Sequence, residues 1–272
     1  MKPEMTQPGL EIKIFSSISD TDFAEWNACV GDQSVFMQYD YLQALEQAGI
    51  SGMSYRYVVL YLDGMPKAAM NFQIVDLSNN DLGGVLNLEN YGGIPTQLSG
   101  TLNRLLFSCR KNLKPVLLCC GSLLASGEHG IMVGSRSDLR WAMGHLPRIR
   151  KMIIEQLVDS KVISELVKDF YNESNERISA SLMRTYFPVR TDPEMVVEIR
   201  ESWNNFDDYL AAFSSKYRVR ANSIRKNFQN VEAVRLQAQD IDRYRDEINL
   251  LYDYVYKKAP VRLFRLNADY FH

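Results

Sequence analysis

Five cations, Lys216, Arg218, Arg220, Arg225 and Lys226, fall within eleven residues, with Tyr217 interleaved and no acid among them. Like charges this close repel unless something neutralises them. On a helix, Lys216 and Arg220 are one turn apart and Arg218 and Arg225 are seven residues apart, so much of the charge can share one side. Such a set suits phosphate or carboxylate groups, which arginine grips with paired donors. The plainer alternative is a solvated helix face paired with acids such as Asp207 and Asp208.

The second group is Gly127-Glu128-His129-Gly130. A turn of this composition can aim backbone N–H groups at an anion. Glu128 and His129 are the acid and base candidates, because proton transfer near neutral pH needs a carboxylate or an imidazole within reach. The same residues equally suit a β-bulge or turn that only positions strands. His145, before Leu146-Pro147, reads as a turn or capping residue, and His272 is the last residue. No H-x-x-x-H or H-E-x-x-H pair occurs, so no metal is expected. No G-x-S-x-G occurs, so no hydrolase-type nucleophile elbow is expected. Tyr244, Tyr252, Tyr254 and Tyr256 read as helix packing rather than a base-stacking platform, and no nucleic-acid partner is expected.

Composition narrows the class. The chain has 272 residues, 46% apolar and 24% charged, enough for a packed core. Its net charge is −2, so no global positive field gathers polyanions, and any anion site must be local. Cys29, Cys109, Cys119 and Cys120 form no CxxC pair and read as reduced core thiols. The first nine residues carry no apolar run of the signal-peptide kind. The longest nearly apolar stretch, Val116 to Ala125, falls short of the roughly 20 residues that span a bilayer. A cytoplasmic protein without a membrane anchor is expected.

Several elements must position these groups. Leu10 to Phe15 alternates as a strand does, and Phe23 to Cys29 follows the caps of Ser19-Asp20-Thr21-Asp22. Residues 39–48 make an amphipathic helix closed by Gly49. Tyr55 to Leu62 and Met65 to Val75 flank Asp63-Gly64, a hairpin signal. A loop at Asn79–Gly84, a helix over 97–113 and a strand over Pro115 to Leu118 come next. Asp138 to Ser160 is helical with a break near Gly144 and Pro147, Ser137 being its N-cap. Val162 to Phe170 reads as a strand, 176–187 as a short helix, and Pro188 to Pro193 as a boundary. Met195 to Ile199 is a further strand. Beyond it come helices over 206–229 and 240–258, joined by a strand at Val231 to Leu236, then an extended segment from Val261 to Leu266. The pattern is an α/β mixed sheet with helices on both faces.

Several motifs resemble one family. Trp26, then Phe36 leading into YDYLQALEQAG, the Asp63-Gly64 hairpin, Leu118-Cys119-Cys120-Gly121 with Ser126-Gly127-Glu128-His129-Gly130, Val167-Lys168-Asp169-Phe170, and Asp207-Asp208-Tyr209-Leu210 with Ser214-Ser215-Lys216-Tyr217-Arg218-Val219-Arg220 resemble elements of the Fem-like, double-domain GNAT acyltransferases. Ser122 stands where asparagine is more usual. The resemblance implies a complete N-terminal GNAT-like domain at 10–190 and the start of a second at 191–272. It implies an N-acyltransferase that moves an acyl group from acetyl-CoA or another acyl-CoA to an amine on an anionic small-molecule or cell-wall-precursor-like acceptor. Lys216, Tyr217, Arg218, Arg220, Arg225 and Lys226 would then bind substrate, with Glu128 and His129 catalytic. No Q/R-x-x-G-x-G/A pyrophosphate loop is present, and the acyl-binding strand is expected beyond position 272. A non-catalytic recognition or scaffold chain is the alternative. An open edge strand near the C-terminus predicts pairing as a homodimer.

Overall fold

The computed structural model describes residues 7–78, 113–127, 129–134, 136–168, 186–187, 196–259 and 264–271, with the side chains of 136–138 left aside. The expected loop at 79–84, the helix over 97–113 save its last residue, most of 176–187, the boundary at 188–193, Cys109, Glu128, Asp169, Phe170 and His272 lie outside the described residues.

The chain forms two compact units, one of Met1–Val189 with Arg243–His272 and one of Arg190–Asp242. The first is built on a mixed six-stranded sheet. Its strands are β1 (Leu10–Phe15), β2 (Met53–Leu62), β3 (Met65–Asp76), β4 (Lys114–Cys120), β5 (Ile131–Val133) and β6 (Ser160–Val167). The order is β1-β2-β3-β4-β6, with β5 also pairing β3. Neighbours are antiparallel except β4 and β6, which run parallel. A parallel pair needs a crossover, and α3 (Arg136–Gly144) and α4 (Leu146–Gln156) lie between those two strands in the chain.

The β2–β3 hairpin forms as its turn chemistry requires, with Asp63 at φ 51° and Gly64 at φ 76°. Alternation along the strands divides the core in two. Val58, Leu60, Met70, Phe72 and Ile74 face Ala142, Met143, Leu146, Ile149 and Ile153 of α3 and α4. Tyr55, Tyr57, Val59, Tyr61 and Ala69 face the other way, toward α1 (Phe23–Val30) and α2 (Tyr39–Gln47). Asp22 caps α1 by accepting from the Glu25 N–H. Trp26 is fully buried, stands edge-on to Tyr57 and donates to the Met37 carbonyl at 2.8 Å.

The C-terminal part of this unit packs on the same side. Phe264, Leu266 and Tyr270 pack against the core beside α2, and the Asn267 amide donates to the Ala48 and Gly49 carbonyls at the end of α2. Helix α8 (Arg245–Lys258) ties in through the Tyr252 hydroxyl, which accepts from the Leu266 N–H at 2.9 Å.

The second unit holds α5 (Phe206–Ala211) and α6 (Ser215–Asn227), and α7 (Ala238–Arg243) runs across its boundary. Asn205 caps α5 by accepting from the Asp207 and Asp208 N–H groups. Tyr209 stands edge-on to Trp203 and Phe213 and tilted against Phe206, and Leu210 is buried.

Four expectations change. The helix over 206–229 breaks at residues 212–214, and the helix over 240–258 splits into α7 and α8. Residues 196–200 and 231–236 carry strand-prone residues but form no ladder, and Val196, Val197, Ile199, Val231 and Val234 stay exposed. A β-branched run becomes a strand only where a neighbour supplies hydrogen bonds and a surface to pack on, and the described residues put none beside these runs. Residues 264–267 are likewise in no strand.

Candidate functional site

Strand β3 is longer than either partner on its β4 side, and two strands share that edge. Phe72 to Asp76 pair with Cys120 to Val116, and Ala68 to Met70 pair with Val133 to Ile131. Asn71 lies between the two ladders. Its N–H donates to the Gly130 carbonyl at 2.9 Å, and its carbonyl accepts from the Gly121 N–H at 3.0 Å. Strands β4 and β5 thus act as one strand from which residues 122–129 leave as a closed excursion.

Glycine makes this closure feasible. Gly121 sits at φ 127° and Gly127 at φ 114°, where a side chain is strained. At Gly130 a Cβ would meet the Gly121 nitrogen at 3.0 Å and the Cys120 carbonyl carbon and oxygen at 3.1 Å, all of them backbone. The excursion is fixed from several directions. The Lys168 ammonium donates to the Ser122 and Ala125 carbonyls at 2.9 and 3.1 Å, and the Gln73 side-chain oxygen accepts from the Leu123 N–H at 2.7 Å. The Leu124 and His129 N–H groups donate to the Ser122 hydroxyl and the Gly127 carbonyl. The loop therefore turns carbonyls toward an ammonium, and three of its N–H groups are bonded within the protein.

His129 is held at both ring nitrogens. Nε2 lies 2.8 Å from the Ser126 carbonyl oxygen, and Nδ1 lies 2.8 Å from the Ser34 hydroxyl. A carbonyl only accepts, so Nε2 carries the proton. In the neutral ring Nδ1 is then the acceptor and Ser34 the donor. The Phe36 ring packs on the imidazole at 4.7 Å between centroids. Gly127 makes room for it, since a Cβ there would meet Nε2 at 2.8 Å.

Next to the excursion, β2 and β3 bury polar side chains in facing pairs, Tyr57 opposite Asn71 and Tyr55 opposite Gln73. All four are buried, and among the described residues the Tyr55 hydroxyl, both Asn71 amide atoms and the Gln73 amide nitrogen have no hydrogen-bond partner. Burial, then the nearby Glu46 carboxylate, pushes the Tyr55 and Tyr57 hydroxyls upward. Glu46 itself accepts from the Ser17 hydroxyl at 2.6 Å and the Ile18 N–H at 2.7 Å. An unmade buried hydrogen bond costs about 1–3 kcal/mol. A row of such groups in one place is the kind of expense that function explains better than stability does.

The five cations lie on α6, apart from this construction in sequence and in the other compact unit. All are exposed. Arg225 pairs with Asp207 at 2.6 Å, as the solvated-face alternative requires, while Lys216, Arg218, Arg220 and Lys226 form no ion pair among the described residues. Tyr217 is exposed on the same helix. His145 precedes α4 with its ring edge-on to Trp141, and Cys29, Cys119 and Cys120 are buried thiols. Burial first, then Glu25, pushes the Cys29 thiol up to about 11. Among the described residues no helix is long and apolar enough to cross a membrane, and no three His, Cys, Asp or Glu side chains converge as metal ligands do.

Sequence reasoning singled out His129 but not Ser34, Lys168 or the Tyr55–Tyr57–Asn71–Gln73 row. Asn71 and Gln73 left a signal, since they stand two apart inside an otherwise apolar strand and so share one buried face. Ser34 left none, being 95 residues from its partner. Comparison of the chain with protein-family models, curated proteins and solved structures finds no match.

Proposed function

We propose that the protein is a GNAT-type N-acyltransferase that moves an acyl group from an acyl-CoA to an amine of an anionic acceptor. The observation that carries this reading is the sheet. Four antiparallel strands lead through two helices to a strand parallel to the fourth, and the fourth strand is interrupted by a glycine-bounded loop. That order agrees with a GNAT sheet, and the interruption sets His129 at its edge. His129 takes up the amine proton at Nδ1, because Nε2 already donates to Ser126. Lys216, Arg218, Arg220 and Lys226 offer charge for phosphate or carboxylate groups on the reactants.

One observation favours a second reading, a recognition chain without transfer. The β4–β6 pair runs from Lys114–Ser160 to Cys120–Val167 with one irregularity between Val116 and Leu117, and the Lys168 N–H donates on to the Cys120 carbonyl at 3.0 Å. The described residues thus leave no gap at that seam for an acyl thioester. Calorimetric titration with acetyl-CoA, followed by a transfer assay on phosphate- and carboxylate-bearing amines, separates the two. Saturable heat with acyl-amine formation supports the transferase. Binding of an anionic amine without heat from acetyl-CoA and without product supports the recognition chain.

A further inference from the structure

We infer that Ser34 is a covalent nucleophile activated by His129, so that acyl transfer runs in two steps through an ester on Ser34. The inference rests on the acyl-transfer reading only for its second step. Three features carry it. The Ser34 hydroxyl donates to the imidazole at 2.8 Å, within the reach that defines a nucleophile and its base. The opposite ring nitrogen is pinned by the Ser126 carbonyl, which fixes the tautomer that a base requires and performs the orienting task of a third triad member. The surroundings are shaped for the ring, with Phe36 on its face and a glycine where a side chain would strike Nε2.

Ser34 also declines the role its position offers. It occupies the N-cap of the short turn Val35–Met37, where serine ordinarily accepts from a backbone N–H, and makes no such bond. The hydroxyl is committed to His129 instead. Ser34 itself is 5% exposed, but Gln33 and Val35 beside it and Ser126 across from it are exposed, so the pair lies just under the surface.

The chemistry balances. The Ser34 oxygen attacks the acyl carbon while its proton passes to His129 Nδ1. The bond from carbon to the leaving thiolate or alkoxide breaks, and the leaving group takes that proton. The acceptor amine then attacks the Ser34 ester, gives a proton to His129, and the serine oxygen leaves and is reprotonated. Direct attack of the amine on the thioester would need no ester on the enzyme.

The test is labelling of the full chain with a small alkyl fluorophosphonate. The Ser34 oxygen forms a bond to phosphorus, fluoride leaves, and the proton goes to His129. Peptide mass spectrometry is expected to place the adduct on Ser34. Ser34→Ala is expected to abolish it, and His129→Gln to slow it about a hundredfold or more, the contribution of a positioned base. Where His129→Gln fails to fold by circular dichroism, Ser34→Ala, which removes one oxygen, keeps the test open. No adduct on Ser34, or an unchanged rate in folded His129→Gln, overturns the inference and leaves the pair as a latch between loops. An adduct without heat from acetyl-CoA keeps the nucleophile and removes acyl-CoA as its donor.

Discussion

Replacing Asn71 by leucine should stabilise the protein and disable it. The side chain is fully buried, and among the described residues both its amide nitrogen and its amide oxygen lack partners. Each such group costs about 1–3 kcal/mol in lost hydration that folding does not return. Leucine has the same number of side-chain heavy atoms and the same branching, so the change is close to isosteric. Its methyl groups are bulkier, and a volume-conserving core swap costs less than about 1.5 kcal/mol. Two such groups less that swap favour the variant by about 0.5–4.5 kcal/mol. At about 2–4 °C per kcal/mol for a domain of this size, the midpoint should rise by about 1–18 °C. Asn71→Asp is the opposing control, since it puts a carboxylate where no cation is paired with it and should melt well below the wild type. Thermal unfolding by circular dichroism reads both, and transfer or ligand binding by the leucine variant should fall away. A leucine variant that melts below the wild type would mean that the amide is satisfied after all. The buried row would then lose its claim to be held for function.

Gly130→Ala should lower stability by about 1–3 kcal/mol, because its methyl group meets only the Gly121 and Cys120 backbone at 3.0–3.1 Å. Gly134→Ala, with open space around it, should stay within about 0.5 kcal/mol, and thermal melts compare the two. Lys168→Met should free the Ser122 and Ala125 carbonyls and make the chain near residues 122–127 the first site cut in limited proteolysis. Among the described residues the buried Nε2 of His145 has no partner, and burial, then Arg148, holds its pKa below the ordinary 6.5. The unfolded chain therefore binds the proton first. The stability from the neutral ring is present above 6.5 and is lost as pH falls from there through the depressed folded value. Urea melts between pH 7.5 and 5, taken as about the relevant range, should show a shallower acid loss for His145→Gln than for the wild type. Hydrogen exchange should be slow in β2 and β3 and fast throughout α6, whose residues bury no side chain. Slow exchange in α6 would show that cover for Tyr217, Ile224 and Phe228 exists.

Local rules carried most of the first unit. The hairpin was legible because Asp63-Gly64 is a turn that two strand-prone runs can close without long-range help. The break between α3 and α4 was legible because proline at position 147 belongs in a first helical turn. The elements that failed are those whose formation depends on a neighbour. Val231 to Leu236 has the residue types of a strand, yet a strand exists only as half of a ladder. Charge density along the chain is a one-dimensional quantity, and it does not say what lies beside the helix. All five cations of α6 are exposed, and Arg225 is met by Asp207.

The excursion at Asn71 shows a subtler limit. Glycines at 121, 127 and 130 announce a turn, and a turn read locally predicts exposed N–H groups ready for an anion. What decides the outcome is Lys168, which β6 delivers from about forty residues away and whose ammonium faces the loop's carbonyls. A cation inside the curve favours the loop's carbonyl ends, so the segment cannot also act as an anion nest on that side. The chemistry left to it is that of His129, half-exposed and bonded at Nδ1 to the Ser34 hydroxyl. The glycine pattern thus marks where the chain leaves the sheet, while the partners of the loop come from far along the sequence. The residue that determines what the site can do, Ser34, comes from a loop whose own sequence suggests nothing beyond a cap.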